Sequence, residues 1–326
     1  MYRVAVVRGG PSDEHEVSLL SGKAVLNALA DSEFQPLDVV VTKQKDWLYQ
    51  GRSWDPVKLF QSVDVVFNAL HGAYGEDGTI QRYMDTHNIR YTGSKAFASS
   101  LAMNKALAKA HLESVDIRLA PHVLARKESV SDVNEFAAAT IETFNGPYVV
   151  KPANGGSSIG TRIVNSIDEL ATVLQDSFSD HDMVLIERLI PGREATVGVI
   201  ERFRDTKHYV LPPIEIIPKE AFFDYKAKYS GHTEEICPGR FSQKEKDILM
   251  HAAAETHRVL GLSQYSRSDF IIGEDGIYFL EVNTLPGLTE ASLLPKALEA
   301  VGVNYRAFIK HLLYDALHQS PNFHQA

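Results

Sequence analysis

The sequence predicts an α/β fold: a parallel α/β domain at the N-terminus, then two lobes mixing helices and strands. Strand and helix patterns alternate through residues 1–95, as in a parallel sheet with crossover helices. A Pro-Gly pair at Pro191-Gly192 interrupts the apolar pattern further on and marks a crossing between lobes. Near the C-terminus two short apolar runs flank Glu274-Asp275-Gly276 and read as a hairpin.

The elements follow in order. Tyr2–Val7 is a buried strand, Glu16–Ala30 a helix, Pro36–Thr42 and Val63–Leu70 strands, and Thr79–His87 a helix. The loops Arg8–His15 and His71–Gly78 follow strands, so they belong at the carboxyl edge of the sheet, where open α/β folds bind ligands. A central lobe over 96–188 opens with one helix, Ala96–Leu112. Strands Val123–Ala125 and Tyr148–Lys151 enclose the helix Asp132–Phe144, and Val184–Ile186 is a further strand. The C-terminal lobe, 189–326, holds strands Glu194–Ile200 and Tyr209–Ile217, a helix Gln243–Leu260, the hairpin, and a helix Tyr305–Leu317. The irregular stretch within 218–239 is long for a connection and carries Lys226, Lys228 and Tyr229, which reads as a lid.

Composition sets the outer limits. A chain of 326 residues suffices for two or three domains, and 44% hydrophobic with 23% charged residues is ordinary for a soluble globular protein. The net charge of −9 argues against broad binding to nucleic acid or anionic membrane. A single cysteine, Cys237, excludes an intrachain disulfide and fits a reducing compartment. Arg8-Gly-Gly-Pro follows the first apolar run too soon for a signal peptide, and no run approaches the length of a membrane span. A cytoplasmic protein is expected.

The chemistry concentrates in a few strings. If Gly273 pairs with Ile277, Asp269 lies opposite Glu281 and Arg267 opposite Asn283, and all four side chains share one face. Such a face is either a solvated surface with one ion pair or an oxygen-donor site for Mg²⁺ and phosphates. Gly155-Gly-Ser-Ser-Ile-Gly160 follows the strand that ends in Lys151-Pro152. It is either a hairpin turn or an anion cradle; it lacks the Gly-Lys-Ser/Thr of a Walker loop. Glu187-Arg188-Leu189-Ile190 and Glu194 form either an ordinary edge strand or a shelf for adenine and ribose. His71 and Glu14 lie on the N-terminal edge loops, as structural groups or as cleft residues. Ser292 and the Leu293 N–H stand at a helix start, a natural carboxylate site, and Gly287 can present a bare N–H. No G-x-G-x-x-G occurs in the N-terminal pattern, which sets aside a nicotinamide enzyme.

Five strings, in this order, resemble the ATP-grasp superfamily and within it the D-alanine–D-alanine ligase family. They are Gly9-Gly-Pro-Ser-Asp-Glu-His-Glu-Val-Ser18, Ala69-Leu-His-Gly72 with Gly75-Glu-Asp-Gly-Thr79, Lys151 through Gly160, Asp224-Tyr-Lys-Ala-Lys-Tyr229, and Glu281 through Thr289. The resemblance covers Val4 to about Leu317 and implies a two-lobed ATP-grasp fold behind the N-terminal substrate-binding domain. It implies that Lys105, Lys151 and Ser158 bind ATP phosphates, Glu187 to Ile190 adenine, and Glu194 ribose. It implies that Asp269, Glu281 and Asn283 hold two Mg²⁺ ions, with Mn²⁺ as an alternative. Glu14 would bind the first D-alanine's amino group, with His71 near its carboxylate, and Ser157 and Tyr229 would join Glu14 in a triad. Arg267 and the Gly287 N–H would form an oxyanion hole, Lys228 would approach the transferred phosphate, and Ser292 with Leu293 would receive the second carboxylate. The activity implied is ATP-dependent ligation of two D-alanines, through a D-alanyl phosphate, to a peptidoglycan precursor, by a homodimer. The alternatives are another carboxylate–amine or carboxylate–hydroxyl ligase, or an inactive nucleotide-binding regulator. Two positions depart from the family pattern: Asn104, where an aspartate is common, and Ser268, where an apolar residue is usual.

Overall fold

A computed structural model of the chain describes residues 1–156, 159–218 and 233–318. The N-terminal sheet centres on β1 (Tyr2–Gly9), flanked in parallel by β2 (Phe34–Val41). A hairpin of β3 (Trp47–Tyr49) and β4 (Arg52–Ser53) extends that edge antiparallel, and β5 (Val65–Asn68) lies parallel on the other side of β1. The parallel sheet expected is therefore three strands wide, with an antiparallel margin. Helices α1 (His15–Leu29), α2 (Pro56–Gln61) and α3 (Thr79–Thr86) accompany it. Neither the margin nor α2 stood out in the sequence, because three-residue strands and a six-residue helix are too short to show a period.

The single helix expected over Ala96–Leu112 is two helices, α4 (Ala96–Met103) and α5 (Lys105–Leu112). Asn104 breaks them. Its extended backbone bridges Asn154, and its Oδ1 accepts the Leu107 N–H at 2.9 Å as the N-cap of α5. Good helix formers on both sides hid the break. Asparagine caps as well as the aspartate it replaces, which accounts for that departure. A short strand, β6 (Arg118–Leu119), follows.

The central sheet is antiparallel in the order β7-β10-β8-β9, from β7 (His122–Arg126), β8 (Tyr148–Pro152), β9 (Arg162–Val164) and β10 (Met183–Arg188). Two helices pack against it: α6 (Val133–Thr143), capped by Asp132, and α7 (Ile167–Asp180), capped by Ser166.

The largest sheet runs β14-β13-β11-β15-β16-β6, with β12 also on β11. Its members are β11 (Gly192–Phe203), β12 (Thr206–Val210), β13 (Ile214–Pro218), β14 (Thr233–Ile236), β15 (Tyr265–Gly273) and β16 (Gly276–Asn283). The strand expected over Tyr209–Ile217 is thus split between β12 and β13, and part of the expected irregular stretch is β14. A capping box at Ser242 and Glu245 starts α8 (Gln243–Val259), whose buried face joins α4, α5 and the sheet in one core. The last helices are α9 (Leu293–Ala300) and α10 (Tyr305–His318). Phe308, Leu312 and Leu313 of α10 share a core with Val4, Val6 and Phe67, so the N-terminal sheet is seated on the C-terminal lobe. Among the described residues no helix is long and apolar enough to cross a membrane.

The hairpin register differs from expectation in a way that matters. Gly273 pairs with Gly276, not Ile277, so the turn is Glu274-Asp275. A β-bulge between Asp269 and Phe270 then admits Leu280 as an extra residue. Beyond it Asp269 does face Glu281 and Arg267 does face Asn283. A bulge reverses the facing of every residue past it. Phe279 and Val282 both enter the core, while the consecutive Leu280 and Glu281 both face the cleft.

Ser268 is fully buried between Val197 and Val282, and its hydroxyl has no hydrogen-bond partner among the described residues. Replacing a stranded hydroxyl with a methyl removes its desolvation cost, so Ser268→Ala should stabilise the fold by about 1 kcal/mol. Denaturant unfolding of the two proteins checks this; equal midpoints would show the hydroxyl to be satisfied.

Candidate active site

Two cavities meet over the bulged hairpin. The smaller, about 220 Å³, lies between the central and C-terminal sheets and is lined by Lys105, Lys151, Gly155, Gly156, Glu187 to Ile190, Glu194, Ile271 and Leu280. The larger, about 490 Å³, lies towards the N-terminal domain and is lined by Glu14, His71, Glu76, Arg267, Asn283, Gly287, Ser292 and Leu293. Asp269 and Glu281 line both. Every predicted site residue among the described ones therefore lines one or both of these two cavities. Ser157, Ser158, Lys228, Tyr229 and the centre of the expected lid (219–232) lie outside the described residues.

In the smaller cavity polar and apolar groups are separated. Leu280, Ile271, Leu189 and Ile190 offer aliphatic surface, suited to a flat ring. The Lys105 Nζ donates to the Gly155 carbonyl and lies 3.2 Å from Glu281. Lys151 pairs with buried Glu187, whose other oxygen lies 2.7 Å from the Lys109 Nζ. Burial alone would raise the Glu187 pKa, but the two ammonium groups outweigh it and hold the carboxyl at about 2. Lys109 was not singled out in the sequence; its signal is the i, i+4 spacing from Lys105 on α5.

At the junction Asp269 is saturated. It accepts two bonds from Arg267 (Nε and Nη2, both 3.0 Å), one from the Thr196 hydroxyl, and one from the Asn283 Nδ2 at 3.2 Å. Burial opposes the Arg267 charge, but Asp269 more than offsets it and drives the pKa up, so the guanidinium is permanently charged. The two bonds use two of its five N–H donors.

The larger cavity is held open by ties between the N-terminal loops and the β16–α9 connection. His71 has both ring nitrogens engaged, Nδ1 with the Leu285 carbonyl at 2.9 Å and Nε2 with the Ser21 hydroxyl at 2.8 Å. A carbonyl can only accept, so Nδ1 carries the proton. Burial keeps the ring neutral. His71 borders the cleft, as expected, but its ring nitrogens serve the structure. Glu76, also unremarked in the sequence, accepts from the Gly72 N–H, the Leu285 N–H and the Thr284 hydroxyl. Glu14 reaches towards the glycine-rich loop: a Cβ added at Gly156 would lie 3.4 Å from its Oε2, and one at Gly72 would lie 2.7 Å from it. Ser292 is the N-cap of α9, as expected; its Oγ accepts the Thr289 N–H and exchanges a bond with the Thr289 hydroxyl rather than capping its own helix. A Cβ at Gly287 would lie 2.8 Å from that Oγ, so a side chain there would force the Ser292 hydroxyl to turn away from Thr289.

A cation of the Mg²⁺ type wants hard oxygen donors in this junction. Glu281 and the amide oxygen of Asn283 are of that kind. Asp269 can join them only by releasing one of its four hydrogen bonds. Among the described residues no three His, Cys, Asp or Glu side chains cluster as a metal centre, so the remaining ligands would have to come from phosphates and water.

Comparison with known proteins gives a consistent picture. The chain matches family models described as "D-ala D-ala ligase N-terminus" over 3–59 and 50–94 and "D-ala D-ala ligase C-terminus" over 111–314. It is 40% identical over 318 residues to a D-alanine--D-alanine ligase of Geobacter sulfurreducens, covering 96% of this chain and 94% of that one. A solved D-alanyl-alanine synthetase A from Vibrio cholerae superposes with a TM-score of 0.85 at 27% identity, covering 98% and 99% of the two chains. The VanG D-Ala:D-Ser ligase from Enterococcus faecalis does so with a TM-score of 0.83, also at 27% identity, covering 97% and 99%.

The buried Glu76 carboxyl is raised to about 7, first by desolvation and then by the nearby Glu14 charge. A carboxyl whose pKa is raised in the folded state binds more protons there than in the unfolded chain. Stability therefore falls as pH climbs from the ordinary carboxylate range to about 7. Relative to Glu76→Gln, whatever their offset, the wild type should lose about 1–3 kcal/mol between pH 5 and pH 8. Parallel unfolding curves at both pH values would refute this.

Proposed function

We propose that this chain, which belongs to the D-alanine–D-alanine ligase family, joins two D-alanines into D-alanyl-D-alanine with conversion of ATP to ADP and phosphate. The observation that carries this reading is the junction of two cavities across Asp269 and Glu281. A nucleotide in one and an amino acid in the other would bring γ-phosphate and carboxylate together there. This reading takes 1–95 as an N-terminal substrate domain, 96–188 as a central lobe and 189–326 as a C-terminal lobe, with α4, α5 and β6 of the central span packed on the C-terminal sheet.

In the smaller cavity, Leu280, Ile271 and the segment from Glu187 to Ile190 receive adenine, Glu194 the ribose, and Lys105 and Lys151 the phosphates. In the larger, Glu14 takes the ammonium of the first D-alanine, and His71 braces the wall beside it. The carboxylate of that substrate attacks the γ-phosphate, ADP leaves, and a D-alanyl phosphate results. Positive charge from the lysines offsets the repulsion between the two anions. The second D-alanine places its carboxylate on Ser292 and the Leu293 N–H, and its amine attacks the acyl carbon. Arg267, whose charge Asp269 secures, and the Gly287 N–H stabilise the oxyanion until phosphate departs. Glu281, Asn283 and Asp269 would hold two Mg²⁺ ions, or Mn²⁺, which when bound neutralise charge on the transferred phosphate. As the family resemblance implies, Lys228 in the lid would approach the transferred phosphate, Ser158 would contact ATP, and Ser157 and Tyr229 would join Glu14 in a triad that ties the lid over the site and keeps water from the acyl phosphate. Tyr229 with Glu14 favours an amine over a hydroxyl as second nucleophile. The resemblance also supports a homodimer, and with the lone Cys237 a cytoplasmic setting where peptidoglycan precursors are made.

Phosphate release with ATP and each of D-alanine, D-lactate and L-alanine tests the reading. Turnover should require D-alanine; activity with L-alanine alone, or ATP binding without D-alanine-dependent turnover, would overturn it. Glu281→Gln should raise the Mg²⁺ concentration for half-maximal rate by about tenfold or more, as loss of a charged ligand weakens binding by over 1 kcal/mol. An unchanged Mg²⁺ titration would remove Glu281 from the ligand set.

A further inference from the structure

Behind the smaller cavity lies a charge cluster with one cation more than its carboxylate needs. Lys109 is fully buried on α5, with its Nζ 2.7 Å from the Glu187 Oε1 and 3.2 Å from the Phe279 carbonyl. It also sits 5.7 Å from the centre of the Phe279 ring. Lys151, on β8, holds the other oxygen of Glu187. One ammonium would neutralise the carboxylate, and burying a second costs desolvation energy. The two lysines are not equivalent. Lys151 lines the smaller cavity and keeps 10% of its side chain exposed, whereas Lys109 lines neither of the two cavities and has none exposed. Lys151 borders the space a ligand would fill; Lys109 is enclosed on all sides.

We propose that Lys109 is the resident counter-ion of Glu187 and so a positioning residue for ATP, releasing Lys151 to the phosphates without stranding a buried carboxylate. This rests on the nucleotide assignment of the smaller cavity. If Lys151 were the only partner of Glu187, its departure would leave a buried charge unpaired, and that cost would come out of ATP binding. With Lys109 in place, Glu187 keeps one ion pair throughout, and the cluster presents its surplus positive charge to the nucleotide. Glu187, fixed at one oxygen by a lysine that does not move, also keeps its place beside the base.

K109M retains the length and apolar stem of the lysine and removes its charge. Lys151 then becomes the sole partner of Glu187 and is withdrawn from the phosphates. The KM for ATP should rise about tenfold, the scale of one charge-assisted hydrogen bond, with kcat within about twofold of wild type. ATP affinity by calorimetry should fall by the same factor, while adenosine, which has no phosphates, should bind within about twofold of wild type. In K109M/E187Q nothing claims Lys151, so the ATP-to-adenosine affinity ratio should return to within about twofold of wild type, whatever the glutamine does to base binding. Unchanged ATP binding in K109M, equal losses for ATP and adenosine, or a double variant whose ATP-to-adenosine ratio is no better than that of K109M would each overturn the proposal. If K109M unfolds, K109M/E187Q decides: an ATP-to-adenosine affinity ratio like wild type supports the proposal, and a ratio reduced about tenfold overturns it. Wild-type turnover with D-alanine tests the ligase reading separately, because the affinity measurements do not depend on it.

Discussion

One extra residue, Leu280, decides which way the functional groups of the C-terminal lobe face. The turn at Glu274-Asp275 sets a register that, carried unbroken along β16, would send Glu281 and Asn283 into the apolar core beside Phe270. Burying a carboxylate there without a partner would cost several kcal/mol. The bulge reverses the parity before that point, so that Glu281 and Asn283 join Arg267 and Asp269 on the cleft face. It also sets Leu280 and Glu281 side by side on the cleft, an aliphatic surface next to a carboxylate. The two cavities share a wall because of this change of facing.

The wall serves only if the pieces around it are held still. Two kinds of tie do so. In the larger cavity, hydrogen bonds run from the N-terminal domain to the β16–α9 connection: His71 to Leu285, Glu76 to Thr284 and Leu285, and Ser21 of α1 to Leu288. They hold the loop that carries Gly287 and Ser292 against a domain far away in sequence, and the shared core with α10 backs them. In the smaller cavity the tie is ionic, with Lys109 and Lys151 on either side of Glu187 joining α5, β8 and β10. Buried hydrogen bonds and ion pairs are directional, so they fix positions that apolar packing alone would leave adjustable.

Much of this was legible in the residues. The parallel core of the first domain, the central strands β7, β8 and β10, α6, α8, α10 and the start of α9 follow from periodicity and capping residues, whereas the three-residue β9 and the helix α7 after it were not read from the sequence. Arg267, Asp269, Glu281 and Asn283 could be grouped because they lie on one hairpin, where pairing arithmetic is local. Other features were not legible, each for a physical reason. The break at Asn104 depends on a bridge to Asn154, fifty residues on. The split between β12 and β13 depends on which strand pairs with β11. Glu76 and Lys109 look like ordinary surface charges until the fold buries them, and His71 looks like a cleft ligand until Ser21 and Leu285 occupy both of its nitrogens.

The sequence by itself determined the class of the fold, the order of its parts and the inventory of reactive groups. Those properties are carried by local periodicity and by strings of adjacent residues. Tertiary structure alone decided which way the groups point and what charge they hold. Facing depends on strand pairing and on one bulge, and ionisation depends on burial and on partners brought from other elements. Neither is encoded within the span of a single motif.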